Sequence, residues 1–180
     1  DMYITIIDKP SNIRAKQLTT PQGKSQDHDL NDILKWQNAE VNITKNWGRR
    51  TEKPMYVLPS RQNPEIVESL LENHFLIYLS MPMTDASGPQ DQMVTEFKEE
   101  LLNIGKEYNE RPTPIIDPRD IDIEEDGRLS KKVKRVIDSQ TVDRDLNLYI
   151  PKSTHVVAYY PEGTDLSKGV SDECTRAFET

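Results

Sequence analysis

Phe75-Leu-Ile-Tyr-Leu79 is the stretch on which the fold turns. Five consecutive apolar residues without alternation describe a strand covered on both faces, which is the habit of parallel sheets. Outward from it, residues 80–89 (Ser80-Met-Pro-Met-Thr-Asp-Ala-Ser-Gly-Pro89) read as a polar loop. A helix then runs over 90–108, with Met93, Val94, Phe97, Leu101 and Ile104 on one face. Thr113-Pro-Ile-Ile-Asp117 predicts a short strand and 117–128 an acidic loop. Residues 130–149 predict a helix broken near Ser139, with Val133, Val136, Ile137, Val142 and Leu146 facing the core. Thr154-His-Val-Val-Ala-Tyr-Tyr160 predicts a second buried strand. After a turn-rich stretch at 161–168, a helix starts at Val170. Strand alternating with helix implies a parallel sheet with crossover helices.

Toward the N-terminus the pattern is looser. Met2-Tyr-Ile-Thr-Ile-Ile7 predicts a strand and 11–26 a loop. Residues 29–41 predict a short amphipathic helix with Leu30, Ile33, Leu34 and Gln37 near one face. Trp36 and Trp47 read as packing residues that pin this region to the rest of the chain. Lys53-Pro-Met-Tyr-Val-Leu-Pro59 predicts a strand bounded by prolines. Pro64 opens a helix whose apolar face is Ile66, Val67, Leu70 and Leu71. Residues 1–74 are therefore expected to form an N-terminal extension, and 75–180 the α/β domain.

Composition narrows the function. The 180 residues carry a formal net charge of -8, with 30% charged and 34% hydrophobic residues. An acidic chain lacks the clustered Lys and Arg that a polymeric nucleic acid demands, though a mononucleotide needs only a few donors. One cysteine, Cys174, excludes an internal disulfide framework and a Cys-rich zinc site. It reads as a buried thiol rather than a nucleophile. No apolar run reaches membrane-span length, and no basic segment leads into an apolar one at the start. A cytoplasmic protein without membrane contact is expected. The acidic run 120–126 lacks calcium-loop spacing, and His28, His74 and His155 are dispersed, so no metal site is expected.

Ligands of open parallel sheets bind beyond the carboxyl ends of the strands. The loops at 80–89 and 161–168 leave such ends, and the second leads into Ser167-Lys-Gly-Val-Ser-Asp-Glu173-Cys-Thr-Arg-Ala177. Gly169 lets a ligand approach the backbone. Glu173, near a helix start, feels a dipole that favours the ionised carboxylate a glycosyl nucleophile requires. The same position also suits ordinary helix capping.

Ile77-Tyr78 in Ile-Tyr-Leu-Ser-Met-Pro-Met-Thr84, then Asp145-Leu-Asn147, His155-Val-Val-Ala158 and Ser-x-Gly-Val-x-x-Glu-x-x-x-Ala at 167–177 follow one another in order and spacing. This combination resembles the nucleoside 2-deoxyribosyltransferase superfamily, and most closely its 2′-deoxynucleoside 5′-phosphate N-hydrolases, over residues 75–180. The resemblance implies a Rossmann- or flavodoxin-like parallel sheet flanked by helices. It implies Glu173 as nucleophile at C1′ and Asp145 as the acid that protonates the base or orients the reacting groups. Tyr78 would hold the nucleophile and Ser167 would contact a 5′-phosphate. Ser80, Thr84, Asp165 and Gly169 are further candidate substrate contacts. No organic cofactor or metal is implied, the ligand being a small nucleoside or nucleotide, and a homo-oligomer is expected.

Departures keep alternatives open. Met81, Pro82, Met83 and Thr84 stand where the hydrolase branch has Gly-Ser-x-Arg, and Tyr-Tyr-Pro-Glu162 with Asp165 looks more like the transferase side. The sequence ends at Thr180 in the helix of Glu173, where the family continues into another core strand. Either the N-terminal strands fill that place or the chain is shortened. An N-glycosidase is the leading expectation. A deoxyribosyltransferase, and a nucleotide-binding sensor that kept the fold without turnover, are the alternatives.

Overall fold

Strand β1 (Tyr3–Ile7) lies parallel to β2 (Met55–Pro59), joined through helix α1 (Leu30–Thr51). The computed structural model describes residues 2–7, 30–59, 64–82, 88–108, 113–121 and 131–180. In β1 the pleat buries Thr5 and Ile7 and exposes Ile6 between them. Ile7, Val41, Met55 and Val57 close into a small core, with Tyr3 against it. Helix α1 extends ten residues past the expected end at Val41. Its buried stripe does not stop there: Leu34, Val41, Thr44 and Gly48 recur at helical spacing on one face. Trp36 and Trp47, expected as packing residues, are both more than half exposed, although the Trp47 ring lies 6.3 Å from that of Tyr3. The predicted loop at 11–26 lies outside the described residues.

Helix α2 (Pro64–Glu72) buries Ile66 and Leu70 but leaves Leu71 exposed. The second sheet has the order β4 (Ile115–Ile116), β3 (Ile77–Ser80), β5 (His155–Ala158), all parallel. Central β3 is buried along its whole length, as its unbroken apolar run requires. Ser80, expected in the loop, is instead the last residue of that strand. The strand at 154–160, expected to be buried, is shorter and partly exposed, because among the described residues β5 pairs with β3 alone.

Helix α3 (Gly88–Tyr108) packs Val94, Phe97, Leu101 and Leu102 against Ile77, Leu79, Met81 and Ile115. Ile104, expected on this face, is exposed, and Leu102 is used instead. Phe97 stacks on Tyr159 with centroids 4.1 Å apart. Gly105 lets this helix approach Thr113 closely: a Cβ there would sit 2.0 Å from Thr113 Oγ1 and 2.6 Å from its Cβ. Glycine inside a helix ordinarily costs about 1 kcal/mol against alanine. Gly105→Ala should nonetheless destabilise, by about 1–3 kcal/mol, which a thermal melt reads as a lower Tm.

Helix α4 (Lys131–Arg144) shows no break at Ser139. The irregularity comes at Asp145–Tyr149, a π-helical turn, followed by the short α5 (Ile150–Lys152). Pro151 supplies the reason: it has no N–H for the carbonyl four residues back, and its ring crowds that carbonyl, so the turn widens. Val142, expected in the core, is exposed. Helix α6 (Lys168–Glu179) ends the element order.

The molecule is thus mixed α/β, with parallel sheets flanked by helices. It groups into two compact units, 1–62 with 121–141 and 63–120 with 142–180. Helix α2 belongs to the second, whereas the expected extension ran to residue 74. Residues 121–141 belong with the first, where Gln140 donates to Met55 O (2.6 Å) and accepts from Val57 N (3.1 Å). Among the described residues, no helix is long and apolar enough to cross a membrane.

Candidate active site

Period-two geometry puts Tyr78 and Ser80 on the same face of β3, opposite the face that Ile77 and Leu79 present to α3. Both hydroxyls converge on one carboxylate. Tyr78 Oη donates to Glu173 Oε1 at 2.8 Å, and Ser80 Oγ donates to Glu173 Oε2 at 2.5 Å. Each oxygen is thereby held, and the carboxylate is aimed rather than mobile. Burial above all, then the charges of Asp145 and Glu173, keep the Tyr78 phenol protonated well above its ordinary value. Tyr78 is therefore a fixed donor. Ser80 was expected to meet substrate directly; its hydroxyl is bonded to Glu173.

Glu173 is not a helix cap. Ser167 fills that role, its side chain accepting from Val170 N at 3.3 Å. Glu173 sits further along α6. The helix dipole was expected to favour its ionised form, yet its carboxyl is raised. Burial pushes it up, and the hydrogen bonds from Ser80 and Tyr78 offset only part of that.

Asp145 opens the π-helical turn and is 7% exposed. Burial first raises its carboxyl; Arg144 pulls it down and Glu173 pushes it up again, and the balance lies at about 7. Arg144 is itself buried, with Nε 3.7 Å from Asp145 Oδ1 and its guanidinium over the Tyr149 ring. That ring in turn lies 6.5 Å from Tyr78. Asp145 Oδ1 is buried without a hydrogen-bond partner. A buried polar atom left unmet is uncommon and demands a reason, of which catalysis is one. Lys152 donates to Asn73 at 2.6 Å.

The remaining candidates are dispersed or differently employed. Asp165 and Gly169 are exposed, and a Cβ on Gly169 would meet only Ser167 Oγ, at 3.8 Å, leaving the start of α6 open. Ser167 keeps one O–H to donate while its oxygen caps the helix. Thr84 lies outside the described residues. Cys174 is free and only partly buried.

Two groupings were not foreseen. At the end of β4, buried Asp117 accepts from Arg119 Nη2 (2.7 Å) and Lys98 Nζ (3.0 Å), and the two cations also reach Asp91 and Asp120. Burial alone would raise the Asp117 carboxyl, but these partners hold it below its ordinary value. This network of three carboxylates and two cations ties the strand end to α3. Separately, His74 is not isolated: its ligand atom and those of Glu68 and Glu72 lie within 4.8 Å of one another, all three residues exposed. Glu68 and Glu72 share a helix face at i, i+4, and Asn73, at φ 56°, turns the chain so that His74 folds back.

These features define a class: an α/β protein with one buried and one half-buried carboxyl group, on neighbouring helical elements, gathered against one end of a central parallel strand. No protein-family model, curated protein or solved structure matches the chain.

Proposed function

We propose that this chain is an N-glycosidase of the nucleoside 2-deoxyribosyltransferase type, built on a Rossmann- or flavodoxin-like sheet. Its substrate is a (deoxy)nucleoside or nucleoside 5′-monophosphate. The observation that carries the reading is the grip of Tyr78 and Ser80 on Glu173, with Asp145 in the same electrostatic environment. A carboxylate oriented by two donors suits in-line attack, and a carboxyl poised near 7 suits proton transfer at neutral pH. In the first step a Glu173 oxygen bonds to C1′. The C1′–N bond breaks, its electron pair leaves with the base, and Asp145 supplies the proton. In the second step Asp145, now ionised, takes a proton from water as the water oxygen displaces Glu173 from C1′. Two carboxyl groups serving one anomeric centre, one nucleophilic and one acid–base, are the requirement of a retaining mechanism.

Incubation with a panel of nucleosides and their 5′-monophosphates, with and without free acceptor bases, tests this. Release of base with sugar hemiacetal is the expected result, and a new nucleoside formed in the acceptor arm would assign the transferase chemistry instead. If nothing in the panel turns over while a nucleotide raises the Tm, the site binds without catalysis and the proposal fails.

A further inference from the structure

In an α-helix the Leu146 carbonyl would accept from the N–H of Ile150. Here that N–H is taken by the carbonyl of Asp145, one residue earlier, because the turn is π-helical. The Leu146 carbonyl is thus released from the ladder. Arg176 takes it up, its Nε donating at 3.1 Å. Arg176 lies on α6 three residues after Glu173, so the two side chains leave the helix on neighbouring positions of one face. The same residue also reaches Glu179 through Nη1 at 3.5 Å, which leaves Nε directed at the turn.

We infer that Arg176 is a positioning residue: by holding the carbonyl that the π-helical turn releases, it fixes the Asp145 carboxyl relative to Glu173. The inference rests on reading those two carboxyl groups as the working pair. The Arg176 bond serves a carbonyl that the π register leaves without its ladder donor. Without it the Leu146 carbonyl, which Pro151 has no N–H to serve, loses its donor and the turn is free to shift. Asp145 would then rotate away from the burial and charge that surround it now. The Asp145 carboxyl is set by burial, Arg144 and Glu173, and displacing Asp145 changes all three.

The test is a carbon-13 NMR titration of the Asp145 carboxyl in the full chain, for wild type, Arg176→Leu and Arg176→Lys. Arg176→Leu should lower the midpoint by about one unit or more. Lysine, which keeps a donor, should restore it toward the wild-type value. In turnover, Arg176→Leu should lower kcat about 100-fold and change KM by less than about threefold. A folded Arg176→Leu whose Asp145 midpoint matches wild type overturns the inference. Should leucine prevent folding, Arg176→Met, which keeps an unbranched stem at this partly exposed position but has no N–H to donate, gives the same readout. A wild-type chain without turnover would defeat the glycosidase reading, and the titration would still decide the role of Arg176.

Discussion

Glu173→Gln should lower base release by on the order of 10⁴-fold or more without loss of the fold. The amide oxygen cannot form the glycosyl ester, yet the side chain keeps its length and still accepts from Tyr78, while its NH₂ can donate to the Ser80 oxygen. Stability separates this from a folding defect. In the native state the Glu173 carboxyl titrates above its ordinary value of 4.5, so the folded chain binds the proton more tightly than the unfolded one. The wild type therefore loses stability as pH rises from that ordinary value through the native one. Glutamine has no such slope. Its Tm should equal or exceed the wild-type Tm at pH 7, and a clear fall there, or turnover that survives, would show that Glu173 does not hold the nucleophile's place.

Asp145→Asn should trade activity for stability, with both effects following pH. A carboxyl moved from 3.8 to about 7 costs the native state on the order of 4 kcal/mol once ionised. The sign follows from proton binding. Between those two values the native state holds the proton that the unfolded state has released, so wild-type stability falls across that window and levels off above 7. Asparagine removes the slope. The variant should match wild type near pH 4 and exceed it increasingly up to pH 7, read from urea unfolding at a series of pH values. In turnover, loss of the acid should cost about 10²–10⁴-fold with ordinary bases. The first-step burst of an activated phenol leaving group, which needs no proton, should be nearly spared, while the second step, now without its base, becomes limiting. The basic limb of the wild-type pH–rate profile should disappear as well. Equal losses of that first step on both leaving groups would assign Asp145 an orienting role in place of acid catalysis.

Much of this was legible along the chain. The run at 75–79 gave the central parallel strand because a strand buried on both faces has no polar face to alternate with. Tyr78 and Ser80, two residues apart, share a face by the pleat alone, so their convergence was implicit in the numbering once Ser80 was placed in the strand. Helix α1 was cut short at Val41 although Thr44 and Gly48 prolong the same stripe. Ile104, Val142 and Leu71 were expected inside because periodicity marks an apolar residue, whereas burial depends on what packs against it. A helix beginning near 130 was legible, but its end at Arg144 and the widening at Asp145 were not, since a π-helical turn differs from an α-helical one by a single shifted hydrogen bond that Pro151 only hints at.

What the sequence by itself determined is the alternation of strand and helix and the side-chain types on which the proposed chemistry draws, because both are carried by local periodicity and residue identity. Only the tertiary structure decided their state. Desolvation raised Glu173 where a local helix dipole predicted the reverse, and burial beside Arg144 poised Asp145 near neutrality. Dielectric environment is a property of everything packed around a group, and residues 78, 80, 145 and 173 acquire it only when the chain brings them together.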